Sequence, residues 1–289
     1  MVRILFIGVF DTTRRSTNTS QLLAFKKLGH HVVGYNYRAK ATAVGTTKRD
    51  QHLFQTVRDQ DFDLVVYSKC NQISYETFKK INEITTTCLW FMDPLRTYDE
   101  EMRKKTQLVD YFCCDKKNVL EVARLLNPRS FHICEGFDED VDTPVLSEKV
   151  YDVSFIGNIY GSRAETLHSL DHPAEHITGC YGTQHAAAVG KTRINLNFCT
   201  DGGASDRIYK ILAAGGFLLS DDWHGRSTDF TDGEELVIFK GTSDLNRKIK
   251  YYLAHQEEAA SIAHKGQKKV QEYTRQSWAK RIVEHSNDV

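Results

Sequence analysis

No stretch of the 289 residues approaches the ~18 consecutive apolar residues that a membrane-spanning helix needs. Met1 is followed at once by the strand-like run Val2-Arg-Ile-Leu-Phe-Ile-Gly8, so the expectation is a cytoplasmic protein without a secretory leader. No Cys-x-x-Cys spacing occurs. The seven cysteines, at 70, 88, 113, 114, 134, 180 and 199, are odd in number, scattered and set among apolar residues. That excludes zinc-ribbon and thioredoxin-type arrangements and predicts reduced, mostly buried thiols. No Asp-x-Asp is assigned to a metal; Asp61-Phe-Asp63 has the spacing but opens a strand. Net charge is lacking too, with 38 Lys+Arg against 38 Asp+Glu. The balance is uneven along the chain. Residues 1–50 carry nine basic and two acidic side chains, +7, which leaves −7 for the remainder. Such a segment suits an anionic partner, or else a solvated helix face followed by a basic loop.

What the chain does have is β–α alternation, twice over. Val2–Gly8, a polar loop over 11–20, an apolar-spaced helix over 20–28 stopped by Gly29, and His31-Val-Val-Gly-Tyr35 open it as β–α–β. Residues 38–50 read as a mobile loop or a weak start to a helix over 51–58. Further strands are expected at 63–68, 87–92, 111–114 and 130–134, separated by helices over 75–84, 98–109 and 117–126. The acidic, turn-rich stretch 135–144 ends a domain. Tyr151-Asp-Val-Ser-Phe-Ile-Gly157 then repeats the logic of the first strand, and alternation resumes, with strands at 176–181 and 192–198. The reading is two doubly wound, Rossmann-like α/β domains facing a cleft. The expected boundaries are 1–145 and 146–275, with a last helix over 276–289 crossing back to the first domain.

The stretch richest in chemistry is Ser205-Asp-Arg-Ile-Tyr-Lys-Ile-Leu-Ala-Ala-Gly-Gly-Phe-Leu-Leu-Ser-Asp-Asp222. A polar cluster opens a short helix, a Gly-Gly pair closes it, and an apolar strand ends in two aspartates. Helix N-termini attract anions through unpaired N–H groups and the helix dipole, and Arg207 adds a planar fork suited to phosphate. Ser205 or Asp206 is the expected N-cap. Gly157, closing its strand, lets a diphosphate approach the backbone, and Arg163 opens the following helix within reach of a phosphate or a surface carboxylate.

Tyr151-Asp-Val-Ser-Phe-Ile-Gly-Asn-Ile-Tyr-Gly-Ser-Arg163, Thr192-Arg-Ile-Asn-Leu-Asn-Phe198, Ser205-Asp-Arg207, Leu212-Ala-Ala-Gly-Gly-Phe-Leu-Leu-Ser-Asp221 and Phe230-Thr-Asp-Gly-Glu-Glu-Leu-Val-Ile-Phe239 together resemble the C-terminal domain of spore-maturation-type (CgeB-like) glycosyltransferases. Over 1–150 only the strand order, Gly29-His-His-Val and Trp90-Phe-Met-Asp-Pro94 are similar. The resemblance implies a GT-B fold with the donor on the C-terminal domain and the acceptor on the N-terminal one. The reaction would be metal-independent transfer of a hexose or pentose from a nucleotide-diphospho-sugar, a UDP-sugar above all, to a hydroxyl. It places Gly157, Asn158, Arg163, Asn197, Ser205, Asp206, Arg207 and Lys210 at the donor. Relatives carry Glu where Lys210 stands; lysine has no acceptor for ribose hydroxyls, so the ribose side of the site departs from the family pattern.

Asp11 and Asp93, just beyond the first and fourth strands, are the candidate general bases. Asp11 could equally cap the first helix, and Asp93 could be a turn residue. Arg14 and Arg15 are the candidate acceptor contacts. An anionic acceptor such as modified DNA, a phosphorylated glycan or a lipid-linked sugar fits the basic segment, where Tyr35 and Tyr37 beside Arg38 and Lys40 hint at nucleic acid. His185 and His224 are loop candidates. Trp278 and Ile282 are expected to pack as core. The competing readings are a non-catalytic nucleotide-sugar-binding protein, motivated by Lys210, and a sugar-nucleotide epimerase.

Overall fold

The structure, a computed structural model, describes residues 1–11, 13 and 15–287. The chain divides into two compact units, Met1–Glu135 with Arg275–Val289, and Gly136–Thr274.

In unit 1 the order is β1 (Arg3–Gly8), α1 (Thr17–Lys27), β2 (His31–Asn36), α2 (Tyr37–Val44), α3 (Thr46–Asp59), β3 (Leu64–Ser68), α4 (Tyr75–Asn82), β4 (Thr86–Phe91), α5 (Glu100–Leu108), β5 (Tyr111–Cys114), α6 (Lys117–Leu126) and β6 (Ser130–His132). All pairings are parallel, in the order β2-β1-β3-β4-β5-β6. Neighbouring side chains on a strand point to opposite faces, so β1 feeds two cores. Leu5 and Ile7 join Phe78, Phe112 and Leu120 on one face, and Ile4 and Phe6 join Phe25, Trp90 and Trp278 on the other. That two-sided burial is why the strands read as continuous apolar runs.

Unit 2 holds β7 (Tyr151–Ile156), α7 (Arg163–His168), β8 (Glu175–Ile177), α8 (Thr183–Gly190), β9 (Thr192–Asn197), α9 (Asp206–Ala213), β10 (Leu218–Asp221), β11 (Val237–Phe239), α10 (Gly241–Ala254) and α11 (Gln256–Lys269). Its parallel sheet is ordered β11-β10-β9-β7-β8. Phe155, Leu196 and Leu219 pack with Leu245, Ile249 and Ile262 of α10 and α11. The final helix, α12 (Arg275–Asn287), belongs to unit 1, where Trp278 and Ile282 are core residues.

Three expectations are corrected. Residues 38–50 are two helices, not a loop: the Asn36 side chain accepts from the Ala39 N–H at 3.1 Å to start α2, and Gly45, at φ +84°, supplies the turn into α3. The strand expected over 176–181 ends at Ile177, because the next five residues include Gly179 and Gly182, both at positive φ. Tyr35 and Tyr37 are core residues, 8% and 1% exposed, with the Tyr35 hydroxyl donating to the Arg49 carbonyl, so they offer no stacking surface to a nucleic acid. Five of the seven cysteines, Cys70, Cys88, Cys113, Cys114 and Cys134, are buried. Among the described residues, no helix is long and apolar enough to cross a membrane.

Candidate active site

Strand β7 delivers Gly157 to the carboxyl edge of the unit 2 sheet at φ +146°. A Cβ there would stand 2.5 Å from Arg207 Nη2, so the absence of a side chain is what lets the guanidinium occupy the space. Arg207 is the second residue of α9. Its Nη1 donates to Asn197 Oδ1 at 2.9 Å, and its plane lies 4.9 Å from the Phe155 ring centre. Asn197 is fully buried and is itself fixed by donating to the Ser220 hydroxyl at 2.9 Å. The Ser205 hydroxyl donates to the same Asn197 oxygen at 2.9 Å. Ser205 holds the N-cap position, as expected, but with no side-chain bond to the first turn of α9. The helix therefore begins with N–H groups that no cap side chain satisfies, beside an anchored guanidinium, which is an anion-binding arrangement. Burial pushes the Arg207 pKa below its ordinary value and Asp206 opposes that; arginine still keeps its charge.

Arg207 shares a cavity of about 190 Å³ with Gly157, Asn158, Asp206, Lys210 and His185, closed on one side by the 178–181 turn after β8. Lys210 forms an ion pair with Asp206 one helical turn earlier. His185, expected in a loop, is on α8 and 7% exposed, and its Nδ1 is buried without a hydrogen-bond partner. Burial, then Lys210 and Arg207, push its pKa down from 6.5 to about 3, so it is neutral near pH 7. The unfolded chain thus takes up this proton before the folded one as pH falls. The stability contribution is intact above pH 6.5 and is lost on the way to pH 3. At 1.36 kcal/mol per unit, about 3 kcal/mol is gone near pH ~4.5. Urea unfolding across that range should show His185→Gln flattening the acid limb; an unchanged slope would refute the assignment.

Arg163 lies beside the cavity with its donors already engaged. Nη1 donates to the Asn158 carbonyl at 3.1 Å, Nη2 to the Phe198 carbonyl at 2.7 Å and to Thr200 Oγ1 at 3.0 Å, and the Tyr160 ring stacks at 3.8 Å. It holds the loop after β7 to the end of β9. The two aspartates ending β10 are structural as well: Asp221 accepts the Cys199 N–H at 2.6 Å, and Asp222 pairs with Arg226 at 2.8 Å. Burial raises the Asp221 pKa against that hydrogen bond.

Asp11 and Asp93 lie at the carboxyl edge of the unit 1 sheet, beyond β1 and β4, with β3 between those strands. Asp11 Oδ1 accepts the Thr13 N–H at 3.0 Å; the cap of α1 is Ser16, not Asp11. Asp93 forms an ion pair with Lys69. Arg15 stands in the same loop as Asp11 at φ +49°, and Arg14 lies outside the described residues. His224, in the turn after β10, does not line the Arg207 cavity. The structure thus gathers Gly157, Asn158, Asp206, Arg207 and Lys210 around one cavity, with Asn197 and Ser205 behind them. Tyr181 and His185 complete the wall; His185 was already a candidate, and the Gly179 and Gly182 turn signals flank Tyr181.

A family model described as glycosyl transferase-like matches residues 145–284. The chain carries a glycosyltransferase domain. Solved structures share the fold over the whole length of the chain. Anabaena HepE, in complex with UDP-glucose, superposes with a TM-score of 0.72 at 9% identity, covering 100% of both chains. Sucrose-phosphate synthase from Thermosynechococcus elongatus gives 0.74 at 9% identity, covering 98% of each. A DNA-modifying β-glucosyltransferase, studied with and without uridine diphosphoglucose, gives 0.63 at 14% identity, covering 99% of each. No curated protein sequence matches. These likenesses establish the GT-B fold, two Rossmann-like parallel-sheet domains, and the Arg207 cavity lies within the glycosyltransferase domain.

The contact between Gly157 and Arg207 can be tested by substitution. Alanine there must move Arg207 or the loop, and its φ is unfavourable for any side chain. Gly157→Ala should weaken nucleoside diphosphate binding by about tenfold or more, roughly the 1.4 kcal/mol of one good charge-assisted bond. Unchanged affinity by calorimetry would mean that the guanidinium does not contact the ligand.

Proposed function

We propose that this protein transfers a sugar from a nucleotide-diphospho-sugar, a UDP-sugar first among donors, to a hydroxyl acceptor without a metal ion. It acts in the cytoplasm and is of the spore-maturation-type line. The observation that carries the reading is the Gly157–Arg207 approach at the open N-terminus of α9, inside a cavity that also holds Lys210. In the reaction the bond from the sugar's anomeric carbon to the diphosphate oxygen breaks, with its electron pair leaving on the diphosphate. Arg207, Lys210 and the α9 N–H groups meet that charge as it develops. The acceptor oxygen bonds to the anomeric carbon, and its proton passes to Asp11 or Asp93. Two neighbours of the same fold were solved with UDP-glucose or in its presence and absence, which supports uridine as the base.

The test is a thermal-shift panel of UDP-, GDP- and ADP-sugars, joined to an assay for released nucleoside diphosphate. At a hundredfold excess over Kd a ligand stabilises by about 2.7 kcal/mol. A shift with UDP-sugars accompanied by UDP release is expected, and no shift with any donor would sink the proposal. Lys210 favours a second reading, a non-catalytic binder. Binding without release in the wild type, with release appearing in Lys210→Glu, would establish that reading instead.

A further inference from the structure

Unit 1 holds a larger cavity, about 790 Å³, between α3, the 71–74 segment after β3, and α4. Arg49 stands in its wall, fully buried. Its Nε donates to Asp50 at 2.5 Å, Nη2 donates to the Gln72 carbonyl, and its plane lies 5.9 Å from the Tyr37 ring centre. Nη1 is buried and has no partner. Buried donors are nearly always paired, so a guanidinium clamped on two sides with its third corner unpaired is a donor held ready for a ligand. The start of α3 lines the same cavity through Thr46 and Thr47, and the Gly45 cap provides no side-chain acceptor for its first turn.

The charge of the lining selects the ligand. Arg49 and Lys80 are outweighed by Asp50, Glu76 and Glu101, a net of −1, and Asp50 already neutralises Arg49. A polyanion is unsuited to this site. Amides at Gln51, Gln55 and Asn71 and the Glu76 carboxylate supply donors and acceptors, and the partly buried Phe54 ring and Ile73 supply apolar surface. We infer that this cavity binds a neutral polyhydroxylated acceptor, the end of a glycan, with Arg49 Nη1 donating to a sugar oxygen. The inference rests on the glycosyl-transfer reading and names its acceptor class, against the anionic acceptor that the basic N-terminal segment suggests. The segment lining the cavity follows directly on Lys69 and Cys70, at φ +66° and +55°, and Lys69 is the partner of Asp93. One loop therefore forms the acceptor wall and holds the candidate base.

The experiment measures binding of the full chain, without nucleotide, to an array of neutral and acidic glycans and to a DNA duplex, each at low and at physiological salt. Neutral glycans should bind, with affinity changing by no more than about twofold between the salts. Thr47→Trp, at an exposed rim position, should weaken them about tenfold or more by filling the cavity (about 1.4 kcal/mol), while the variant's thermal shift with UDP-glucose stays that of the wild type. The inference is overturned if no neutral glycan binds, or if Thr47→Trp leaves binding intact. It is also overturned if DNA or acidic glycans bind better and lose affinity steeply with salt. Loss of the UDP-glucose response in the wild type would instead remove the transferase reading, and glycan binding would still be decided on its own.

Discussion

Arg207→Ala is expected to lower UDP-sugar turnover by about 10²–10³-fold, the range for removing one preorganised donor from a developing negative charge. The fold should survive. Asn197 Oδ1, which loses Arg207, keeps the Ser205 hydroxyl as a donor, and Asn197 keeps its own bond to Ser220. Arg207→Lys retains the charge but loses the fork that reaches Asn197 and faces Phe155, so it should recover only part of the loss. Turnover and nucleoside diphosphate affinity measured on the three proteins decide the matter. Equal turnover in wild type and Arg207→Ala would remove the guanidinium from the mechanism.

The second large effect is on stability. Trp278 is 1% exposed, and its ring centre lies 5.3 Å from Phe25, 5.6 Å from Trp90 and 6.1 Å from Phe6. Removing that ring opens a cavity where α12 meets the unit 1 sheet, and Trp278→Ala should cost about 3–5 kcal/mol. Trp278→Phe should cost much less, since the indole N–H is buried without a partner and loses no hydrogen bond. Denaturant unfolding of the two variants gives the comparison. A loss below about 1 kcal/mol for Trp278→Ala would mean that α12 adds little to unit 1.

The residues gathered at the unit 2 cavity could be read from the sequence because they lie on local signals. Gly157 ends an apolar run, and the Ser205–Arg207 cluster opens a helix closed by Gly215-Gly216, so each residue's position on the sheet edge follows from its own segment. The partners could not be read in that way. Arg163 and Arg207 look alike as basic residues near a helix start, yet one is engaged by the Asn158 and Phe198 carbonyls and the other faces a cavity beside Gly157. His185 was one of two histidine candidates, but its state could not be read, because its neutrality comes from burial and from Lys210 and Arg207 on another helix. The basic count of residues 1–50 does not say where each side chain points: Arg49 is sealed in the wall of a cavity whose lining is net negative.

By itself the sequence determined the alternation of apolar strands and amphipathic helices, the restart at Tyr151 and the glycines that end the strands, because periodicity and turn chemistry act within a few residues. Tertiary structure alone decided which arginine is held by main-chain carbonyls and which faces a cavity. It alone decided, too, that a buried guanidinium nitrogen waits unpaired between α3 and α4. Those outcomes depend on contacts between residues distant in the chain, where burial and the supply of hydrogen-bond acceptors are set by packing and not by neighbours in sequence.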